Sequence, residues 1–432
     1  MRRRTSRRAL SSRLVGGWGV LIAMSTLACK GEVPRTATED SEPATDSVRA
    51  RDVLARHPVF DGHNDLAWEI RRADPPLDVD AYDLNELTPG HTDLARLRQG
   101  MVGAQFWSVY IPGEAADSGF ARMLLEQIDV ARRFIDKYPE LELTGTADEV
   151  EAAMASGRIG SVLGMEGGHA IENSISALRI YYDLGVRYMT LTHNVTLDWA
   201  DAASDEARHG GLTRFGEEVV GEMNRLGMLV DLSHVSPATM SDALNVSSAP
   251  VIFSHSSARA LTDHVRNVPD SILARLPENG GVVMVTYVPT FVSEPLRLWS
   301  VQRDSVGRTT QESGGDREDA NAAMLKFEME NPRPQATVAD VVDHIEHVRD
   351  VAGIDHVGLG ADFDGISSTP VGLEDVSTYP ALVTELLRRG WTDGEIGKLT
   401  NGNVLRALRE AENVAVRLQL ESTPSTLRLS EH

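Results

Sequence analysis

Short apolar runs of β character alternate along this chain with longer stretches in which apolar residues recur every three to four positions. That alternation is the pattern of a parallel sheet covered by helices. Eight runs stand out, at 57–61, 103–110, 160–166, 187–192, 228–232, 250–253, 281–287 and 356–361. Between and after them, helical periodicity covers 121–138, 174–184, 215–226, 338–352, 379–389 and a closing stretch at 393–411. Eight strand–helix units predict an α/β fold with a single closed (β/α)8 TIM barrel. Two segments break the repeat: a polar loop at 196–211 after the fourth run, and an Arg/Asp/Glu/Gly-rich insertion at 292–334 after the seventh. Either can serve as a lid, although much of the insertion reads as exposed decoration.

The termini read differently. Residues 1–29 pass from a basic stretch through an apolar one to small residues and Cys29, the only cysteine of the chain. This is the pattern of an export signal, too short for a transmembrane helix. Cys29 is expected to be the lipid-modified first residue of a mature bacterial lipoprotein, although Thr26 departs from the usual lipobox. Ser6-Arg7-Arg8-Ala9-Leu10 resembles a twin-arginine signal, so the export route stays open. The expected location is the bacterial cell envelope, anchored in the membrane or periplasmic. Residues 30–48, rich in Ser, Thr, Pro and Glu, read as a disordered tether. The folded domain is expected at 49–418, followed by a flexible tail at 419–432.

Charge and composition narrow the function. A formal net charge of −22 argues against nucleic acid, because little basic surface is left to neutralise phosphates. One cysteine excludes an intrachain disulfide and a cysteine-based zinc site.

The chemistry lies where the runs end. His63, Asp65, Glu166, His234, His255 and Asp362 each close or directly follow a β-like run. Imidazoles and carboxylates at the C-terminal ends of successive strands are what a barrel needs to hold metal ions. The two residues of His63-x-Asp65 fall on one side of an extended segment and can reach one ion. Glu166 lies among glycines, and its two oxygens can bridge two cations. His234 and His255, each preceded by serine, supply further nitrogen donors. His91-x-Asp93 repeats the His63-x-Asp65 spacing, but no β-like run precedes it, and Asp93 reads as a helix cap. A hydrolase that activates water needs a base that later returns the proton. Asp362 is the candidate, with Asp364 behind it.

Eight motifs, FDGHND, VGAQFWSVYIP, GMEGGH, YMTLTHN, LGMLVDLSHVS, PVIFSHSSARAL, RNVPD and VGLGADFDG, make the chain resemble the membrane (renal-type) dipeptidases. These are metallopeptidases of the amidohydrolase superfamily, and the resemblance covers about residues 50–415. It implies a barrel of the metal-dependent hydrolase type with two zinc ions, one held by His63, Asp65 and Glu166, the other by Glu166, His234 and His255. It also implies Asp362 as catalytic acid/base and His193, of LTHN, as a catalytic and substrate-binding group that polarises the scissile carbonyl or stabilises the oxyanion. Arg266, of RNVPD, would bind the substrate carboxylate, with Tyr287 lining that pocket. Without the resemblance, His193 is just a strand-end histidine and Arg266 an ordinary surface arginine. The C-terminal STPSTLRLSEH carries no hydrophobic tail of the kind that precedes the glycolipid anchor of mammalian members.

The expected reaction is hydrolysis of dipeptides with a free C-terminal carboxylate by a hydroxide bridging the ions. Acceptance of C-terminal D-residues and the identity of the native metal stay open. A homodimer is a family expectation. Alternatives are a related hydrolase of β-lactams, N-acyl amino acids or phosphoesters, and a non-catalytic peptide-binding lipoprotein.

Overall fold

A computed structural model describes residues 42–114 and 119–429. Its strands are β1 (Val59–Asn64), β2 (Val102–Ser108), β3 (Leu141–Leu143), β4 (Ile159–Glu166) and β5 (Val186–Thr190), then β6 (Leu229–Asp231), β7 (Val251–Phe253), β8 (Val282–Val285) and β9 (Val357–Leu359). Eight of them form a parallel sheet in the order β1-β2-β4-β5-β6-β7-β8-β9. The ends meet: Asp65 N–H donates to Phe363 O at 2.9 Å, and Asp362 N–H donates to His63 O at 3.2 Å. The result is a nearly closed eight-stranded barrel, and each of its strands falls on one of the eight apolar runs. The ninth, β3, pairs with the first three residues of β4. Three residues are too few for a period to be read, so nothing in the hydrophobic pattern announces it.

Six strands contribute Phe60, Phe106, Tyr188, Leu229, Ile252 and Val282 to a shared core, with Phe60 stacked on Phe106 at 4.9 Å. The long last helix, Asn403–Glu421, packs Val404, Leu405, Leu408 and Ala411 against this cluster. The end of the barrel away from the strand C-termini is thereby filled. The outer helices Phe120–Lys137, Ile175–Asp183, Arg214–Leu226, Val338–Ala352 and Tyr379–Arg388 keep the boundaries that their periodicity implies to within a residue. No helix among the described residues is long and apolar enough to cross a membrane.

Four boundaries move. A helix runs over Glu42–Arg56, so the last seven residues of the stretch read as tether are helical. It buries Ala50, Val53 and Leu54, and Arg49 and Arg56 grip the two oxygens of Asp393 at 2.6 and 2.8 Å. The rest of that stretch, with the export signal and Cys29, lies outside the described residues. The insertion at 292–334 forms two helices, Glu294–Glu312 and Arg317–Glu330, which pack on each other through Trp299 and Phe327, ring centroids 5.8 Å apart. The closing stretch is broken by a π turn at Lys398–Gly402, and its last helix continues to Glu421. The segment read as a flexible tail is tied down beyond that point. Ser425 N–H donates to Glu222 Oε2 at 3.2 Å, its carbonyl accepts from Arg179 at 3.0 Å, and Leu427 and Leu429 rest on the core.

Candidate metal centre

All the predicted ligands gather on one rim because parallel strands present their C-terminal ends together. His63 lies in β1 and Asp65 just beyond it, Glu166 closes β4, and His193, His234, His255 and Asp362 follow β5, β6, β7 and β9 within three residues. Glu166 is central, and its two oxygens face different partners. Oε2 lies 3.6 Å from His63 Nε2, whereas Oε1 lies 3.0 Å from His234 Nε2 and 3.4 Å from His255 Nε2. Asp65 Oδ2 is 3.2 Å and Asp362 Oδ1 3.9 Å from His63 Nε2. Three donor groups result, each with its donor atoms within 4.8 Å of one another: His63, Glu166 and His255; Glu166, His193 and His234; His63, Asp65 and Asp362.

The surrounding bonds prepare these atoms for a cation. Asp65 occupies the N-cap position of helix Leu66–Arg72 without capping it. Its Oδ1 is buried with no hydrogen-bond partner, a costly state for a carboxylate that no cation compensates. His63 Nδ1 meets Tyr188 Oη at 2.8 Å, and His234 Nδ1 meets Asn194 Oδ1 at 3.1 Å. His255 Nδ1 meets Ser254 Oγ at 2.8 Å, and that hydroxyl donates onward to Asp231 at 2.7 Å. Each Nδ1 is thus occupied, which turns the Nε2 lone pairs of His63, His234 and His255 inward. Tyr188 can lie beneath His63 only because residue 164 is glycine; a Cβ there would overlap the tyrosine ring.

Electrostatics agree. Burial, helped by Arg266 and His193, holds His234 well below the ordinary histidine range, and burial with His63 and Arg266 does the same at His255. Neutral imidazoles are the metal-binding form. Burial also lowers the pKa of His193. At His63 burial is outweighed by Tyr188, Asp65 and Glu166, and its pKa rises well above the usual value. Burial pushes Asp362 well up, with Asp65 and Glu166 adding to the rise against the opposing charges of His63 and Arg266. Two buried carboxylates and the partly buried Asp362 converging on one imidazole demand positive charge, and the donor set fits divalent ions. Strain marks the same rim: His234 and Asp362 adopt φ of 70° and 67°, a region non-glycine residues seldom occupy.

Asp65, Glu166, His234, His255 and Asp362 line a cleft of about 520 Å³ together with Trp68, Arg72, Tyr110 and Phe291, with His63 fully buried behind them. A larger groove of about 1020 Å³, between helix Ile175–Asp183 and the C-terminal segment, contains none of the three donor groups. His193 lines the cleft with its Nε2 4.0 Å from Glu166 Oε1 and its ring against Tyr110. Arg266 is no surface arginine. It is 4% exposed, and its Nη2 lies 2.7 Å from His255 Nε2. Burial brings its pKa down to about 10, which leaves it charged at neutral pH. Tyr287 corrects the expectation. Its side chain is fully buried against Phe363 and Tyr379, and Val288 and Phe291 form the cleft wall instead. A one-residue step along the chain at the end of a strand turns the side chain away from the cleft.

Residues 47–422 match the family model of the membrane dipeptidases, peptidase family M19. The chain belongs to this family. Among curated relatives, Dipeptidase 3 of Rattus norvegicus is 42% identical over 362 residues, 83% of this chain, and Dipeptidase 3 of Mus musculus is 42% identical over the same length. The chain spans 66% and 65% of the length of these two proteins. Among solved structures, the M19 metallopeptidase dipeptidase AC shares 26% identity at a TM-score of 0.68, with 82% of this chain and 98% of that one covered. A metallopeptidase of Rhodobacter sphaeroides shares 25% identity at 0.67, covering 82% and 99%. PvdM of Pseudomonas aeruginosa, at 23% identity and a TM-score of 0.75 over 86% of this chain and 100% of that one, supports the fold alone.

Tyr188, Asn194, Ser254 and Asp231, which orient the three histidines here, escape sequence reading. The serine before each of His234 and His255 is the one local signal. Tyr188 reaches His63 only across the sheet.

Proposed function

We propose that this chain is a two-zinc dipeptidase that hydrolyses dipeptides bearing a free C-terminal carboxylate. The observation that carries the proposal is Glu166, whose two oxygens face His63 on one side and His234 with His255 on the other. In this reading His63, Asp65 and Glu166 hold one ion, and Glu166, His234 and His255 the other. Bound zinc supplies Lewis-acid activation of the attacking water and the scissile carbonyl.

The chain's own groups do the rest. Asp362, at the edge of the cluster, takes the proton of the water and delivers it to the leaving amine. His193 donates a hydrogen bond to the carbonyl oxygen as charge develops there. Arg266 binds the substrate carboxylate, which restricts substrates to short peptides. Acceptance of a D-residue at the C-terminal position is supported by the Rhodobacter sphaeroides relative, which is liganded with a phosphinate mimic of the dipeptide L-Ala-D-Ala. Export, lipidation at Cys29 and location in the cell envelope rest on residues 1–29 alone. A homodimer rests on family resemblance, and sedimentation checks it.

The test is metal analysis with a panel of L-X/L-Y and L-X/D-Y dipeptides on one purified sample. About two zinc ions per chain with chelator-sensitive cleavage is expected. Two metals without dipeptide turnover would move the activity to another amide or ester, and a chain that binds no metal would overturn the mechanism.

A further inference from the structure

The second His-x-Asp tripeptide, His91-Thr92-Asp93, joins no donor group among the described residues. It forms a strut across the closure of the barrel instead. His91 N–H donates to Asp364 Oδ1 at 2.5 Å, while Asp364 N–H donates back to His91 Nδ1 at 2.9 Å. This reciprocal pair fixes the imidazole as an acceptor at Nδ1. The next residue, Thr92, accepts from Asn64 Nδ2 at 2.8 Å, and Asn64 lies between the ligands His63 and Asp65. The third, Asp93, caps helix Leu94–Gln99 by accepting from Arg96 N–H at 2.8 Å. One rigid tripeptide therefore touches the end of β1 and the loop after β9.

What it touches matters. Asp364 lies two residues beyond Asp362, and both hold left-handed backbone, with φ of 65° and 67°. Such conformations persist when their surroundings over-determine them. Asn64 and Thr92 are fully buried, so water does not compete for the bond between them, whereas Asp364 is 5% exposed and the His91 side chain 23%. Residue 90 must be glycine for the approach, because a Cβ there would collide with Asp364 Oδ1. The His91 ring packs on Phe363, the residue between the two aspartates, at 5.6 Å.

We infer that His91 is a positioning residue: paired with Asp364 and tied through Thr92 to Asn64, it holds the Asp362 carboxyl in register with the ligands on β1. The inference rests on the reading of Asp362 as the acid/base of a dipeptidase. Direct contact between His91 and substrate is no part of it.

The full chain, loaded with zinc, serves for the test. His91→Ala removes the acceptor for Asp364 N–H. It should lower kcat for a dipeptide by about 10- to 100-fold, the scale of loss for displacing a reacting group by about 1 Å. KM and zinc content should stay at the wild-type level. His91→Asn offers Oδ1 near the position of Nδ1 and should restore most of the rate. Should His91→Ala not fold, His91→Phe fills the same space without an acceptor and carries the same expectation. Asp93→Ala loosens the same helix without touching the His91–Asp364 pair, and should lower Tm while sparing kcat. Crystal structures of the wild type and the His91 variants supply a readout independent of turnover, in which the Asp362 carboxyl should shift relative to Asp65. Unchanged kcat in His91→Ala, no rescue by asparagine, or an unmoved Asp362 would each overturn the inference. A wild-type chain that cleaves no dipeptide would instead defeat the proposed function, and the crystallographic comparison would still decide the positioning role.

Discussion

Two aspartates with the same local spacing have opposite fates. Asp93 follows His91 and caps a helix, whereas Asp65 follows His63, occupies an N-cap position and leaves its helix uncapped. The difference is what surrounds them: Asp65 faces His63 and the other carboxylates, and its free oxygen meets no backbone N–H group. The same reasoning yields two predictions for single side chains. Asp362→Asn keeps the shape and removes the proposed base; kcat should fall by about 10²- to 10⁴-fold with zinc content intact, as stopped assays and metal analysis would read. Near-normal turnover would remove Asp362 from the acid/base role. Arg266→Met should raise KM for a dipeptide by about 10- to 100-fold, matching the loss of roughly 1.5–3 kcal/mol from a charged hydrogen bond. The corresponding dipeptide amide, which has no carboxylate, should lose far less. Equal losses on both substrates would assign Arg266 a different task.

Elements explain why much of the site could be read from the chain and some of it could not. The eight barrel strands are buried, and their apolar runs end where the sheet ends, so His and carboxylate residues just past those runs are marked by position alone. His63, Glu166, His234, His255 and Asp362 were legible for this reason. β3 was not, since a strand of three residues carries no period. The helices at Glu294–Glu312 and Arg317–Glu330 were hidden by polarity: each packs mainly on the other, so few apolar positions are required. Helix ends follow local rules more faithfully. Asp93→Ala should cost about 1 kcal/mol of stability, the usual value of an N-cap, and a chemical denaturation curve would show it. A variant as stable as the wild type would mean that the Asp93–Arg96 pair and cap contribute nothing net.

At the scale of the molecule, the barrel buries titratable groups that respond to acid. His344 accepts from Ala258 N–H at 3.0 Å in the second layer behind the RNVPD segment, and burial lowers its pKa to about 4 from a reference of 6.5. A histidine whose folded pKa is depressed favours the folded state fully above the unfolded value, and the contribution fades as pH falls toward the folded one. Stability should therefore decline between about pH 6.5 and 4, by up to about 3 kcal/mol from this residue. His344→Asn, which keeps an acceptor but does not titrate, should flatten that decline in Tm measured across the range; an unchanged slope would exclude His344 as its source. The chain by itself determined the barrel, the rim on which the candidate chemistry lies and the residues that gather there, because strand burial and parallel order translate directly into apolar runs and the residues that end them. Tertiary structure alone decided the rest: which oxygen of Glu166 faces which histidine, that Tyr287 turns inward, that Tyr188 and Ser254 orient the imidazoles, and that His91 meets Asp364 across 273 residues. Those are contacts between strand ends distant in sequence, and no local period or propensity encodes a distance between them.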